Sequence, residues 1–158
     1  MSQARSEYKK FHAHAPEIYD LVVGLGQAAA KAGIDRQLLE LVKIRASQIN
    51  GCAFCVQYHI LQAESLGLSA DKLNLLVVWR DALQFSVRER AALGWTEALT
   101  RLTDGVDDAV YAEASAAFSE RELAYLTSAI GAINVWNRLG VAYRWSPPVR
   151  QRTMAAAG

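Results

Sequence analysis

Hydrophobic side chains recur every three or four positions along most of this chain, which is the spacing of helices that bury one face. The clearest example follows Asp35, where Leu38, Leu41, Val42 and Ile49 fall on one side of a predicted helix. No segment alternates apolar and polar residues in the manner of a half-buried strand. The pattern therefore predicts an all-α fold.

Residues that begin and end helices divide this pattern into about seven predicted helices. Ser86 and Ser119 each stand three residues before a glutamate, an arrangement that forms a capping box at a helix start. Gly33 and Gly67 follow periodic segments and are typical helix ends. The predicted helices occupy residues 16–33, 35–50, 52–66, 71–83, 86–102, 107–118 and 119–137.

The length of the chain is sufficient for one domain with a sizeable core, so we expect residues 1–158 to form a single domain. Its core is predicted at about residues 16–143, and the tail at residues 148–158 is predicted to be flexible. The chain is 52% hydrophobic and has four tryptophans, a large apolar content for a helical monomer. Burial in the core accounts for this content as well as an interface in a homo-oligomer does.

Charge and hydropathy exclude several classes of function. The net charge is +1 and there is no basic cluster, which argues against nucleic-acid binding. No apolar run approaches the length that spans a bilayer, and residues 1–10 lack the apolar segment of a secretory signal. We therefore expect a cytoplasmic protein without a membrane partner. In that reducing compartment a lone CxxC motif is more often catalytic or metal-binding than a structural disulfide.

The two cysteines of the chain, Cys52 and Cys55, form such a CxxC motif, and His59 follows four residues later. On a helix these three residues lie on one face, so their side chains can meet in one pocket. Near the start of a helix a thiolate is favoured, and a neighbouring imidazole can accept the thiol proton. Because Cys55 is four residues before this base, we predict that Cys55 is the attacking thiol and Cys52 the resolving thiol.

A further group has to set the protonation state of His59, and the nearest carboxylates in sequence are Glu40 and Glu64. Glu64 falls slightly off the face of His59. Glu40 lies in an apolar run on the preceding helix, and it reaches the site if that helix packs against the thiol helix. The alternative is a surface Glu40 that pairs with Lys43. Spacing alone leaves both alternatives open.

Alternative roles for the CxxC motif fit the sequence less well. Zinc takes four protein ligands, or three and a water, and Glu40 would have to be the fourth here because there is no second CxxC or histidine pair. Val56 stands where a c-type haem site needs histidine, and the strands of a thioredoxin frame are missing. Two buried cysteines that act only as small apolar residues remain an alternative. The residues favour redox catalysis without a metal or cofactor.

The run Glu40-x11-Cys52-x2-Cys55-x3-His59 resembles the signature of the AhpD-like alkylhydroperoxidases in the carboxymuconolactone decarboxylase superfamily. The segment at residues 133–139 is similar to a C-terminal stretch of small peroxidase-related members. The resemblance implies an all-helical fold, with the CxxC motif at the start of a central helix, that assembles as a dimer, trimer or hexamer. It implies a cysteine peroxidase that needs no metal or haem. Cys55 then corresponds to the peroxidatic cysteine, Cys52 to its resolving partner, and His59 with Glu40 to the proton relay.

Phe54 departs from the family pattern, because the best-known members have a second histidine at that place. We therefore expect a simpler relay or a more apolar site. Tyr58 can supply a hydroxyl group, although a packing role is the preferred interpretation. Asn134, Asn137 and Arg138 are interpreted as residues that form interhelical or intersubunit hydrogen bonds rather than line a pocket.

These residues predict a thiol-dependent peroxidase of antioxidant defence that reduces alkyl or hydrogen peroxides. Cys55 becomes a sulfenic acid, Cys52 condenses with it to a disulfide, and an external dithiol of the lipoyl or thioredoxin type restores the pair. Two alternatives stay open. One is a lactone decarboxylase-type enzyme of the same superfamily, whose chemistry does not require a CxxC motif. The other is a non-enzymatic thiol redox sensor.

Overall fold

The computed structural model describes residues 3–150, and these residues form eight α-helices, one 3₁₀-helix and no β-strand. The fold is all-α, as the hydrophobic pattern predicts. The helices are α1 (Tyr8–His14), α2 (Pro16–Lys31), α3 (Arg36–Asn50), α4 (Ala53–Ser65), α5 (Ala70–Leu75), α6 (Val87–Arg101), α7 (Asp108–Ala117) and α8 (Glu120–Tyr143). The 3₁₀-helix, Leu76–Asp81, follows α5 directly.

Seven of these helices coincide with predicted segments, and the differences have local causes. The segment predicted at residues 71–83 is interrupted, because Val78 has non-helical backbone angles and a 3₁₀-helix replaces its second half. Helix α8 continues to Tyr143, past its predicted end at residue 137. Helix α1 is an addition to the predicted set, and none of its residues is fully buried. Only Tyr8 and Phe11 are half-buried on this short helix, and two apolar positions give only a weak hydrophobic pattern.

Polar side chains cap the helices at the predicted starts. Ser86 and Ser119 accept the expected amide hydrogen bonds, and the glutamate of each capping box bonds back to the serine amide. Asp35, Ser69 and Asp107 also accept hydrogen bonds from the first turns of their helices. These bonds satisfy amides that have no partner within the helix, which is why the boundaries are visible in the sequence.

Helix α3 is the centre of the core and packs against α4, α6 and α8. It is enclosed on nearly all sides, since every residue from Leu38 to Ser47 except Lys43 is buried. Its apolar residues join α2, α6, α7 and α8 in one cluster, and α4, α5 and the 3₁₀-helix in another. A polar residue in such a helix needs a partner in the interior. Helix α4, which carries the CxxC motif, packs on α3 and α8.

The two ends of the described chain lie against each other. The backbone amide of Arg5 donates to the carbonyl oxygen of Tyr143 at 2.9 Å, and the hydroxyl of Ser146 donates to the carboxylate of Glu7 at 2.8 Å. These bonds hold the segment before α1 against the end of α8. Within residues 3–150, no helix combines the length and the hydrophobicity that a bilayer span requires. Most of the tail predicted to be flexible, residues 151–158, lies outside the described residues.

Candidate active site

The CxxC motif lies where α3 ends and α4 begins. Gly51 ends α3 with a φ of 69°, a left-handed conformation that glycine adopts without strain. Cys52 is the N-cap of α4, one position before the helix itself, and is joined to Cys55 by a disulfide. The backbone amide of Cys55 donates a hydrogen bond to the sulfur of Cys52, with an N···S distance of 3.2 Å. An amide that points at a sulfur stabilises negative charge there, so this position favours the Cys52 thiolate after reduction.

Helix α8 passes directly over the two sulfur atoms at Gly140. A Cβ atom at this position would lie 2.6 Å from the sulfur of Cys52 and 3.3 Å from the sulfur of Cys55. Both cysteines are almost inaccessible, with 1% and 3% of their surface exposed. The absence of a side chain at Gly140 therefore allows α8 to pack onto the thiol pair.

Glu40 reaches His59 from the neighbouring helix α3. One carboxylate oxygen lies 2.7 Å from Nδ1 of His59, and the other lies 2.7 Å from Nζ of Lys43. Only 7% of the surface of Glu40 is exposed. The alternative of a surface Glu40 is therefore wrong, and the buried carboxylate contacts both His59 and Lys43. Glu64, the carboxylate that follows His59 in sequence, forms an ion pair with Arg150 instead.

Burial and neighbouring charges set the protonation states of this pair. Burial raises the pKa of the Glu40 carboxyl, but the hydrogen bonds and charges of His59 and Lys43 outweigh it and hold that pKa below its ordinary value. Burial lowers the pKa of His59, and the contact with Glu40 offsets this lowering only in part. Near neutral pH the imidazole is therefore uncharged and donates its Nδ1 proton to the carboxylate. Its Nε2 atom then carries the lone pair of a general base.

A cavity of about 350 Å³ adjoins these groups, and it is lined by Cys55, His59, Glu40 and Lys43. Cys52 does not line it and borders a separate, shallower depression together with Gly51 and Pro147. Of the two cysteines, only Cys55 shares this cavity with His59. Among residues 3–150, no group of three or more His, Cys, Asp or Glu side chains is arranged to hold a metal ion.

Aromatic side chains form much of the cavity wall near Cys55. Tyr8, Phe54, Trp136 and Trp145 all line the cavity. The ring centroid of Tyr8 lies 4.9 Å from that of Phe54 and 5.2 Å from that of Trp145. Phe54 therefore lies in apolar surroundings, in keeping with the expectation of a more apolar site.

Three of these aromatic residues, Tyr8, Trp136 and Trp145, were not among the predicted site residues. They come from α1, from α8 and from the segment after α8, and only the folded chain brings them together. One sequence signal pointed to the first of them, since Tyr8 and Phe11 are spaced as on one face of a helix. Both rings lie near Trp145, and the ring centroid of Phe11 is 5.7 Å from that of Trp145.

The remaining residues singled out in the sequence take packing and hydrogen-bonding positions. Tyr58 also lines the cavity, and it stacks on Phe54 at 6.0 Å and meets the edge of His59 at 5.1 Å. The side-chain amide of Asn50 donates to both Asn134 and Asn137 at 2.9 Å, which joins α3 to α8. Asn134 and Asn137 therefore form interhelical hydrogen bonds in the structure, whereas Arg138 donates to Asn134 within α8.

An all-helical domain with the Cys52–Cys55 pair matches the AhpD-like fold. Comparison with known families gives the same result. The sequence profile described as the carboxymuconolactone decarboxylase family matches residues 16–98. The chain therefore belongs to the carboxymuconolactone decarboxylase family, as an AhpD-like member of that superfamily. Glu40, Cys52, Cys55 and His59 all lie inside the matched range.

Relatives with known sequences or structures support this assignment. The uncharacterized protein YdfG of Bacillus subtilis is 33% identical over 143 residues, which are 90% of this chain and 95% of YdfG. The crystal structure of a protein of unknown function from Agrobacterium tumefaciens, described as a candidate antioxidant defence protein AhpD, is 38% identical. The match covers 94% of this chain and 100% of the Agrobacterium chain, with a TM-score of 0.86.

The fold also occurs in a debrominase. The debrominase Bmp8 is 18% identical in sequence. Its structure matches 87% of this chain and 74% of the Bmp8 chain, with a TM-score of 0.78. A likeness at that identity shows the fold alone. The activity of the present chain therefore has to be argued from its site.

Proposed function

We propose that this chain is a thiol-dependent peroxidase that reduces alkyl or hydrogen peroxides in antioxidant defence. One observation carries the proposal: Cys55 and His59 line the same cavity, and Glu40 holds His59 in the form of a general base. This route to peroxide reduction uses a thiolate, a base in the same cavity and a resolving thiol, and Cys55, His59 and Cys52 are the residues we assign to these roles. The AhpD-like relatives support the same class of chemistry.

The first step uses the shared cavity. Nε2 of His59 accepts the proton of the Cys55 thiol, and the thiolate attacks the terminal oxygen of the hydroperoxide. A sulfur–oxygen bond forms as the oxygen–oxygen bond breaks, so Cys55 is oxidised to a sulfenic acid while the peroxide is reduced. The leaving alkoxide takes the proton from His59 and departs as an alcohol, or as water. Glu40 remains ionised and stabilises the imidazolium that exists between the two transfers.

The second step uses the thiol at the helix cap. The Cys52 thiolate, favoured by the amide of Cys55, attacks the sulfur of the sulfenic acid. A disulfide bond forms as the sulfur–oxygen bond breaks, and the hydroxide leaves as water after it takes a proton. An external dithiol of the lipoyl or thioredoxin type then reduces the disulfide by two exchange steps and is itself oxidised to a disulfide.

We propose a cytoplasmic location for this cycle, because the reducing cytoplasm supplies the dithiols that it consumes. We also propose that the protein is a homo-oligomer. An exposed apolar stripe on α2 supports self-association. Ile18, Leu21 and Leu25 are 52%, 74% and 44% exposed at helical spacing, and such a stripe is typical of an interface. Light scattering on the purified protein measures the mass directly, and a monomer at micromolar concentration would rule out the oligomer.

Steady-state consumption of peroxide in the presence of a supplied dithiol tests the peroxidase proposal. We expect no turnover above background for Cys55→Ser. For Cys52→Ser we expect slower turnover than in the wild type, because the sulfenic acid has no resolving thiol within the chain and has to be reduced by the external dithiol directly. Ser115→Ala on the exposed side of α7 is the control and should retain full turnover. Wild-type turnover by Cys55→Ser would contradict the proposal.

Two other results would assign a different function. Turnover of an unsaturated lactone by a Cys52→Ser/Cys55→Ser double variant would indicate a lactone decarboxylase-type enzyme. Stoichiometric oxidation of the thiol pair, without catalytic peroxide consumption by any dithiol tested, would indicate a redox sensor.

A further inference from the structure

We propose that the cavity selects hydroperoxides that carry an aromatic ring, and that hydrogen peroxide is a poor substrate. This inference rests on the proposed peroxidase function and narrows its substrate class. It comes from the side chains near Cys55, which form a wall that is much larger and more apolar than hydrogen peroxide needs.

The volume of the cavity suits an organic substrate. Its size of about 350 Å³ falls within the range of pockets for small organic molecules, roughly 300–1,000 Å³. An apolar cavity of about 150 Å³ is already large enough to admit benzene. A single ring with a short branched hydroperoxide group therefore fits, whereas hydrogen peroxide would leave most of the space unfilled.

The wall of the cavity is suited to stacking with a ring. Tyr8 is the centre of the aromatic cluster, with centroid distances of 4.9 Å to Phe54, 5.2 Å to Trp145 and 6.2 Å to Trp136. Aromatic rings attract one another at separations of about 4.5–7 Å, in offset or edge-to-face arrangements. A ligand ring that enters the cavity extends this cluster. Because Phe54 and Cys55 both line the cavity, a ring held against Phe54 brings an attached hydroperoxide group close to the thiol.

Tyr8 contributes to this wall as a neutral ring. Its hydroxyl donates a hydrogen bond to the hydroxyl of Tyr19 at 3.0 Å. Burial, together with this bond, raises the pKa of Tyr8 above its ordinary value, so the phenol stays uncharged. The compact polar group of Glu40, His59 and Lys43 lines the same cavity. The cavity thus combines one reactive polar cluster with an aromatic surface of several rings.

Much of this aromatic wall comes from outside the region that the family profile matches. Tyr8, Trp136 and Trp145 lie outside residues 16–98, the part that the family profile matches. The bonds from Arg5 and Ser146 hold the segment before α1 against the end of α8 and the residues that follow it. They add rings to a site whose reactive residues come from the matched region, so the preference for a ring depends on segments beyond it.

The kinetic test compares kcat/KM for cumene hydroperoxide, tert-butyl hydroperoxide and hydrogen peroxide with one dithiol. We expect cumene hydroperoxide to be preferred over the other two by about ten-fold or more, since one added apolar group in a matched pocket is worth at least that factor. Tyr8→Ala should lower the value for cumene hydroperoxide by about ten-fold and leave tert-butyl hydroperoxide within about two-fold. Tyr8→Phe, which keeps the ring, should retain the preference. Tyr111→Ala, at a residue 52% exposed on α7 and outside the cavity, is the matched control.

Equal kcat/KM values for the three peroxides in the wild-type enzyme would overturn the inference without any variant. A binding measurement separates it from the peroxidase proposal. The alcohol 2-phenyl-2-propanol is titrated into the Cys52→Ser/Cys55→Ser double variant, and tryptophan fluorescence reports its binding. Binding about ten-fold tighter than that of tert-butanol, and lost in Tyr8→Ala, would support a ring site even if no peroxide were turned over. Equal binding of both alcohols would overturn the ring site whether or not the chain is a peroxidase.

Discussion

The close contact between Gly140 and the thiol pair predicts that Gly140→Ala destabilises the oxidised protein, although alanine is the better helix former. The added Cβ atom would lie 2.6 Å from the sulfur of Cys52. Unbonded heavy atoms prefer separations of about 3.5–4.0 Å, so one of the two atoms has to move by roughly 1 Å. Neither moves freely. Gly140 is inside α8, while the backbone amide of Cys52 is bonded to Ser47 and its sulfur to Cys55.

Two opposing contributions set the size of the effect. Replacing glycine by alanine inside a helix stabilises it by about 1 kcal/mol. Overpacking a well-filled interior costs about 1–3 kcal/mol. Gly131→Ala in the same helix is the matched control, because no atom lies within 4 Å of its added Cβ. We therefore expect Gly131→Ala to be more stable than the wild type, and Gly140→Ala to be less stable than Gly131→Ala by the packing contribution alone, about 1–3 kcal/mol.

Urea denaturation of the oxidised proteins measures these free energies of unfolding. Repeating both substitutions in a Cys52→Ala background removes the nearer sulfur, and there Gly140→Ala should come close to Gly131→Ala in its effect. If Gly140→Ala stabilises the protein with the intact thiol pair as much as Gly131→Ala does, the contact does not constrain α8 and the reasoning fails.

Removing charge at two buried glutamates gives two further predictions. Glu40→Gln should lower the pKa of His59 in an NMR titration, since the carboxylate that raises that pKa is lost. Peroxide turnover should fall by about 10- to 100-fold. Glu64→Gln is the control and should change neither the pKa of His59 nor the turnover. Burial alone would raise the pKa of Glu97, but its hydrogen bonds from a tryptophan and arginines lower it from 4.5 to about 2. The stability that Glu97 contributes is therefore complete above about pH 4.5 and is lost as the pH falls towards 2, by up to about 3 kcal/mol. Urea denaturation between about pH 3 and 6 should show this loss in the wild type, and an equally steep loss in Glu97→Gln would contradict it.

Local signals account for the success of the helix predictions. The capping boxes at Ser86 and Ser119 act within one turn of the chain, so they are visible before the fold is known. The misses arise where packing overrides such signals. Gly140 weakens the helical pattern at the end of α8, but the helix continues because that glycine fits against the thiol pair. Helix α1 escaped prediction because it has no fully buried residue.

The sequence by itself determined the helical class and supplied the residues on which the peroxidase proposal rests. The spacing of Cys52, Cys55 and His59 places them on one side of a helix, and the family resemblance added Glu40. Only the tertiary structure decided that α3 packs on α4 so that Glu40 contacts His59, with Lys43 on its other oxygen.

The tertiary structure also decided which surfaces surround the thiol. It brings Tyr8 and Trp145, from opposite ends of the chain, into one wall beside Cys55. Helix propensity and spacing describe neighbours within a few residues, and they carry no information about which helix faces meet. That choice depends on how the whole set of apolar faces is buried together, which is a property of the packed chain.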